Sequence, residues 1–180
     1  MATTWKIDPA HTDVQFSAKH MMVTTVRGKF HEVDGTLTLD EANPAASAGS
    51  FTIKAASLNT GVEQRDGHLV SGDFLDVEHY PTVTFRSKRV EGARAESGEE
   101  FTVVGDLTIR GTTREVTLVA TYEGRGRDPW GGERISFTAK GKIDRRDFGL
   151  VWNQTLETGG ILVSNDIKIT IEAQAVRATA

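Results

Sequence analysis

The sequence predicts an all-β protein: eight antiparallel strands closed into a barrel, with one short helical insert. Three observations carry this. Apolar and polar residues alternate with period two in eight separate stretches, the pattern of strands with one dry face. No stretch is apolar on both faces, which argues against a buried parallel sheet. Residues 65–87 break the alternation, as an insert would. Eight antiparallel strands hide their edges best by closing on themselves. Two packed sheets are the competing architecture.

The strands follow in order. Val14, Phe16, Ala18 and His20 share one parity, against Asp13, Gln15, Ser17 and Lys19. A long second strand begins near Val26. Gly28 and Phe30 share its even positions, whereas Val33, Gly35, Leu37 and Leu39 share the odd ones, so a bulge is predicted near His31 and Glu32. Asn43-Pro44 marks a turn, and Phe51, Ile53 and Ala55 make the third strand.

The insert comes next. Thr60-Gly61-Val62-Glu63 has capping-box spacing, which predicts a helix to about Ser71 with Gly72 as its stop. Asp73-Phe74-Leu75-Asp76 sets an apolar pair between acids, and Tyr80-Pro81 forces extended backbone at Tyr80. Such a segment can plug or cover whatever the strands enclose.

Val83 and Phe85 open the fourth strand. Phe101, Val103, Gly105, Leu107 and Ile109, then a turn at residues 110–113, then Val116, Leu118, Ala120 and Tyr122 read as a hairpin. A loop over residues 124–133 precedes Ile135, Phe137, Ala139, Gly141 and Ile143. Residues 145–160 are irregular, and Ile167, Ile169, Ile171 and Ala173 form the eighth strand. Residues 177–180 are expected to fray.

The 180 residues fit a single domain spanning 1–180. At 38% hydrophobic and 26% charged the chain is globular. A net charge of −4 offers no basic footprint for nucleic acid. The absence of cysteine excludes disulfides, thiolate chemistry and cysteine-ligated metal centres. No apolar run approaches the roughly 20 residues of a membrane span, so no stable membrane insertion is expected. MATTWKIDPAH carries neither a basic n-region nor an apolar h-region, and the expected location is the cytoplasm.

Catalytic signatures are missing: there is no G-x-S-x-G, P-loop or H-E-x-x-H. Five histidines lack the short spacing of paired ligands, so no metal site is expected. The polar cluster of Arg65, Asp66, His68, Asp73 and Asp76 has three readings. It can be an acid–base site, a solvated face, or the mouth of an apolar cavity where a ligand's polar head is held. Arg145, Arg146 and Asp147 offer a similar entrance, and arginines there suit a phosphate or diphosphate head. Interior positions mix phenylalanines with alanine and glycine. Composition alone favours a barrel filled by its side chains over a hollow one.

Several blocks resemble the YceI-like family in order along essentially the whole chain. They are Trp5-Lys6-Ile7-Asp8-Pro9-Ala10-His11-Thr12 with Val14-Gln15-Phe16, Lys19-His20 and Gly28-Lys29-Phe30, then Arg65-Asp66-Gly67-His68-Leu69, Asp73-Phe74-Leu75-Asp76 and Tyr80-Pro81-Thr82-Val83-Thr84-Phe85. Gly105-Asp106-Leu107-Thr108-Ile109-Arg110-Gly111-Thr112-Thr113-Arg114 and Asp144-Arg145 with Asp147-Phe148-Gly149 complete the set.

The resemblance implies a lipocalin-like antiparallel barrel with a long hydrophobic interior. It implies non-catalytic binding, storage or transport of a polyisoprenoid lipid, an isoprenoid quinone or a prenyl phosphate, with no other cofactor, and a homodimer. On this reading Phe16, Ala18, Phe30, Phe51, Phe85 and Phe137 wall a hydrophobic channel. Phe74, Leu75, Leu150 and Trp152 line or close its ends, and His20, Arg65 and Arg145 are candidates to meet the head group. The alternative is a hydrolase or isomerase acting on a prenyl-type substrate through His68, Asp66 and Asp73.

Overall fold

The alternating stretches become strands in the computed structural model, which describes residues 1–179. In chain order these are β1 (Thr3–Ile7), β2 (Asp13–His20), β3 (Thr24–Phe30), β4 (Val33–Leu39), β5 (Ala48–Lys54) and β6 (Leu58–Asn59). The helix α1 (Glu63–Leu69) follows, then β7 (Thr82–Glu91), β8 (Glu100–Ile109), β9 (Thr112–Arg127), β10 (Glu133–Asp144) and β11 (Asp166–Arg177).

Three of the staves are kinked. β1 with β2, β3 with β4, and β5 with β6 are halves of single staves, because β1 pairs with β4, β2 with β3, and β6 returns to β3. The kink at residues 31–32 falls where the parity of the sequence changes. Antiparallel pairing then runs from β4 through β5, β7, β8, β9 and β10 to β11. β11 meets both halves of the first stave, with Ala175 opposite Ile7 and Ile169 opposite Phe16. Among the described residues this closes an eight-stave antiparallel barrel.

Four expectations need correction. Thr3–Ile7 is a strand, which its two apolar positions were too few to announce. The last strand continues past Ala173 to Arg177, because β1 offers it a partner edge, and the Ala178 N–H donates to the Thr4 carbonyl at 2.9 Å. The tail is thus held through Ala178, and Ala180 lies outside the described residues. β9 extends to Arg127, so the loop shrinks to 128–132. Its glycine at 124 takes a φ of 132° at a bulge, where Ser136 faces Gly124 and Phe137 faces Tyr122.

The fourth correction concerns α1. Val62, not Thr60, occupies the N-cap, and the helix ends on Val70 rather than at Gly72. The Thr60 hydroxyl is drawn instead to Asp66, donating to Oδ1 at 2.5 Å while the Thr60 N–H donates to the same oxygen at 2.9 Å. Arg65 donates to the Thr60 hydroxyl at 2.7 Å and to its carbonyl at 2.8 Å. A carboxylate and a guanidinium outbid the first turn for the same side chain.

Packed side chains gather near the two ends of the barrel. Trp5, Ile7, Ile135 and Ala175 form one buried cluster. Phe74, Val83, Leu107, Ile143, Phe148 and Leu150 are members of another under the helical insert.

Candidate functional site

Between these clusters the barrel is hollow. A cavity of about 1280 Å³ runs from Leu162 and Val163 at the helix-bearing end to Arg94 and Arg125 at the other. The filled barrel that composition favours is therefore not the one that forms, and the reason lies in how the phenylalanines sit. Gly28 faces Phe16 in register, and a methyl built on Gly28 would lie 2.4 Å from the Phe16 ring. The corresponding distance is 2.6 Å from Gly35 to Phe51 and 2.5 Å from Gly105 to Phe85. Each ring lies over bare backbone on the neighbouring strand, flat against the wall and out of the lumen. Phe30 packs on Phe16 at 5.5 Å between centroids, and Phe51 on Phe85 at 6.4 Å.

Ionisable side chains reach the cavity only near its ends. At the helix-bearing end they are His20, Arg65, His68 and Arg145, while the Lys19 ammonium turns to the outer face and donates to Thr25 Oγ1 at 2.8 Å. At the other end Asp40, Glu41 and Glu123 stand with Arg94 and Arg125, and Arg125 is paired with Glu41. The middle is walled by Phe16, Phe51, Phe85, Leu118 and Ile169. One terminus is thus lined by basic groups, the other by a mixed set, and the length between is apolar.

The helix-bearing end is built around an aromatic stack. The His68 ring meets Trp152 edge-on at 4.6 Å and Phe74 at 5.1 Å, and its Nε2 lies 2.8 Å from Asp73 Oδ2. Arg145 sits behind Phe74, its guanidinium carbon 6.0 Å from the ring centre. This arginine is 3% exposed. It donates to the carbonyls of Leu150 at 2.6 Å, Trp152 at 2.8 Å, Ser164 at 2.9 Å and Val163 at 3.3 Å. Burial pushes its pKa down from the usual arginine value, and the four carbonyls supply polar contacts that water would otherwise make.

The YceI-like domain family matches residues 5–175 of this barrel. The chain belongs to the YceI-like family. It is 43% identical over 152 residues to protein YceI of Escherichia coli O157:H7, covering 83% of this chain and 78% of that protein. Its fold is similar to that of BcnA from Burkholderia cenocepacia, with a TM-score of 0.80 and 25% identity over 96% of this chain and 99% of that one. A polyisoprenoid binding domain from Saccharophagus degradans shares the fold at a TM-score of 0.72 and 14% identity, covering 98% and 99% of the two chains.

In this YceI-like barrel the ten apolar positions nominated from the sequence all line the cavity. Phe16, Ala18, Phe30, Phe51, Phe85 and Phe137 lie along its wall, and Phe74, Leu75, Leu150 and Trp152 lie at the helix-bearing end. His20, Arg65 and Arg145 reach the cavity at that same end. They differ in what they have left to offer. Arg145 spends its donors on the 150–164 loop, and Arg65 spends two on Thr60, whereas His20 ends β2 beside Val163.

The acid–base cluster comes together only in part, as the His68–Asp73 pair at 2.8 Å. Asp66 turns to Thr60 while Asp73 takes His68, and the nearby Ser71 hydroxyl donates to the His68 carbonyl at 2.6 Å instead of facing the imidazole. The far end of the YceI-like cavity was missed. Tyr122 stacks on Phe137 at 5.3 Å there, beside the Arg125–Glu41 pair. Its parity with Leu118 and Ala120 was the available signal, but the pairing of residues 84 positions apart leaves no local trace.

Proposed function

We propose that the chain binds an isoprenoid lipid in the barrel cavity, to store or carry it without chemical change. The observation that carries this is the distribution of chemistry along the cavity. A long apolar middle with ionisable groups confined to the ends matches a molecule with a long hydrocarbon chain and one polar head. The volume of about 1280 Å³ exceeds the roughly 300–1,000 Å³ of sites for compact small molecules. A lipid burying about a dozen carbons gains roughly 10 kcal/mol before the cost of association, with no polar contact required. The like-folded domain from Saccharophagus degradans is named for polyisoprenoid binding, which supports the same ligand class here.

The basic lining of the helix-bearing end favours a prenyl phosphate over an uncharged quinone and orients its head toward His20 and Arg65. Selectivity then rests on the width and length of the chain, which the wall phenylalanines measure. Asp66 is drawn to Thr60 and leaves only His68 and Asp73 paired, which supports a carrier over a hydrolase or isomerase.

The test is native mass spectrometry of the purified protein, followed by organic extraction and titration with a prenyl phosphate and an isoprenoid quinone. An adduct of isoprenoid mass, or saturable binding of either lipid, is expected. A clean apo mass combined with failure to bind both overturns the reading.

A further inference from the structure

β2 and β3 are joined by three residues, Met21, Met22 and Val23, at the helix-bearing end. The Val23 N–H donates to the His20 carbonyl at 3.1 Å, and Met21 and Met22 take φ values of 53° and 63°. A tight hairpin of this hand asks for Asn-Gly, because side chains with a Cβ are disfavoured in the left-handed region. The sequence places two large apolar residues there and follows them with a third. Met21 is 50% exposed, Met22 65% and Val23 77%. Neither the turn nor the core accounts for them.

Their surroundings do. The hairpin is tied to the loop that closes the cavity, since the Met21 N–H donates to the Leu162 carbonyl at 2.8 Å and His20 bridges Val163. Val62 and Val151, at the same end of the barrel, are also exposed. Arg65 stands at the cavity mouth and the exposed Lys19 ammonium lies on the outer face against Thr25, and among the described residues neither has a carboxylate within ion-pair distance. Exposed methionine and valine beside unpaired basic groups form a surface suited to the boundary of an anionic bilayer.

We propose that this end of the barrel docks on the surface of an anionic phospholipid bilayer, with Met21, Met22 and Val23 dipping into it. Docking there places the cavity mouth against the membrane, so an apolar cargo crosses without meeting bulk water. The purpose of the contact rests on the lipid-carrier reading, but the contact itself does not.

The experiment is flotation of the protein with vesicles that contain no prenyl lipid, of phosphatidylcholine alone or mixed with phosphatidylglycerol. The wild type is compared with the Met21→Asn/Met22→Gly double substitution. The variant installs the preferred turn residues, so its Tm should equal or exceed that of the wild type. Wild-type protein should float with the mixed vesicles in preference to phosphatidylcholine alone, and the variant should lose ~tenfold in partitioning. A wild type that ignores both vesicles or binds both alike overturns the proposal. So does a variant that partitions like the wild type. If that variant also changes from dimer to monomer by light scattering, the turn is a contact between two copies instead. Because the vesicles hold no cargo lipid, these outcomes are independent of the extraction and titration that test the carrier reading.

Discussion

The Phe16 ring rests on the backbone of Gly28, so closely that a methyl group on Gly28 would lie 2.4 Å from Phe16 Cζ. The two residues are direct partners in register between β2 and β3. Gly28→Ala must therefore lift the ring off the wall and into the lumen, and overpacking of this kind costs about 1–3 kcal/mol. Phe16→Leu removes the two nearest atoms the methyl would strike and leaves Thr60 Cγ2, at 2.9 Å. In a double-mutant cycle by urea unfolding, the alanine should cost clearly less in the Phe16→Leu background than in the wild type. Equal costs in both would mean that the ring is not what the methyl meets.

The same relationship marks where sequence reading stops. Parity along each strand showed which side chains face inward, and the change between Phe30 and Val33 located the kink at residues 31–32. Parity does not say whether an inward phenylalanine points across the lumen or lies along the wall. That depends on which glycine stands beside it on the next strand, and so on register between staves. Registry also hid β1, whose Trp5 and Ile7 look like an isolated pair until β4 and β11 flank them. At the helix, local spacing named Thr60 as a cap correctly by chemistry and wrongly by geometry, because Asp66 and Arg65 compete for it.

Arg145 holds the 150–164 loop by donating to four backbone carbonyls at 2.6–3.3 Å. Arg145→Met fills much of the same volume but leaves those carbonyls without their donor, a loss of about 3–5 kcal/mol. Arg145→Lys keeps the charge without the planar fork, so it should recover only part of that. Urea unfolding gives the stabilities. Hydrogen exchange at residues 150–164 should rise in both variants, more in the methionine one. Unchanged exchange there would remove the loop-holding role.

Arg134 clamps the kink between β1 and β2 to the 128–132 loop. It donates to Asp8 at 2.6 Å, to Gln174 at 2.8 Å and to Asp128 at 2.9 Å. The guanidinium is the leading cause that holds both carboxyls below their usual 3.8, with His11 next at Asp8 and the Gly132 N–H next at Asp128. A carboxyl whose pKa is depressed by folding contributes stability that is present above its unfolded pKa. That contribution is lost as pH falls through the folded value. The stability gap between wild type and Asp8→Asn should therefore be full at neutral pH and shrink below about pH 4. Urea midpoints at pH 7 and pH 3 measure it, and a gap that stays constant would show that the charge on Asp8 does not carry the interaction.

Phe85 lies on the inner wall against Phe51, and Val119 is exposed on β9. These two positions separate cargo binding from general effects of a new charge. Phe85→Asp puts a carboxylate where the proposed prenyl chain runs. The empty cavity can hydrate that charge, but a bound hydrocarbon would have to strip the water away, at a cost of several kcal/mol. The expected outcome is ~tenfold or greater loss of bound lipid by extraction and mass spectrometry, with the circular dichroism of a folded β-barrel retained. Val119→Asp adds the same charge on the outer wall and should leave lipid content unchanged. Equal lipid content in a folded Phe85→Asp variant would place the cargo somewhere other than this cavity.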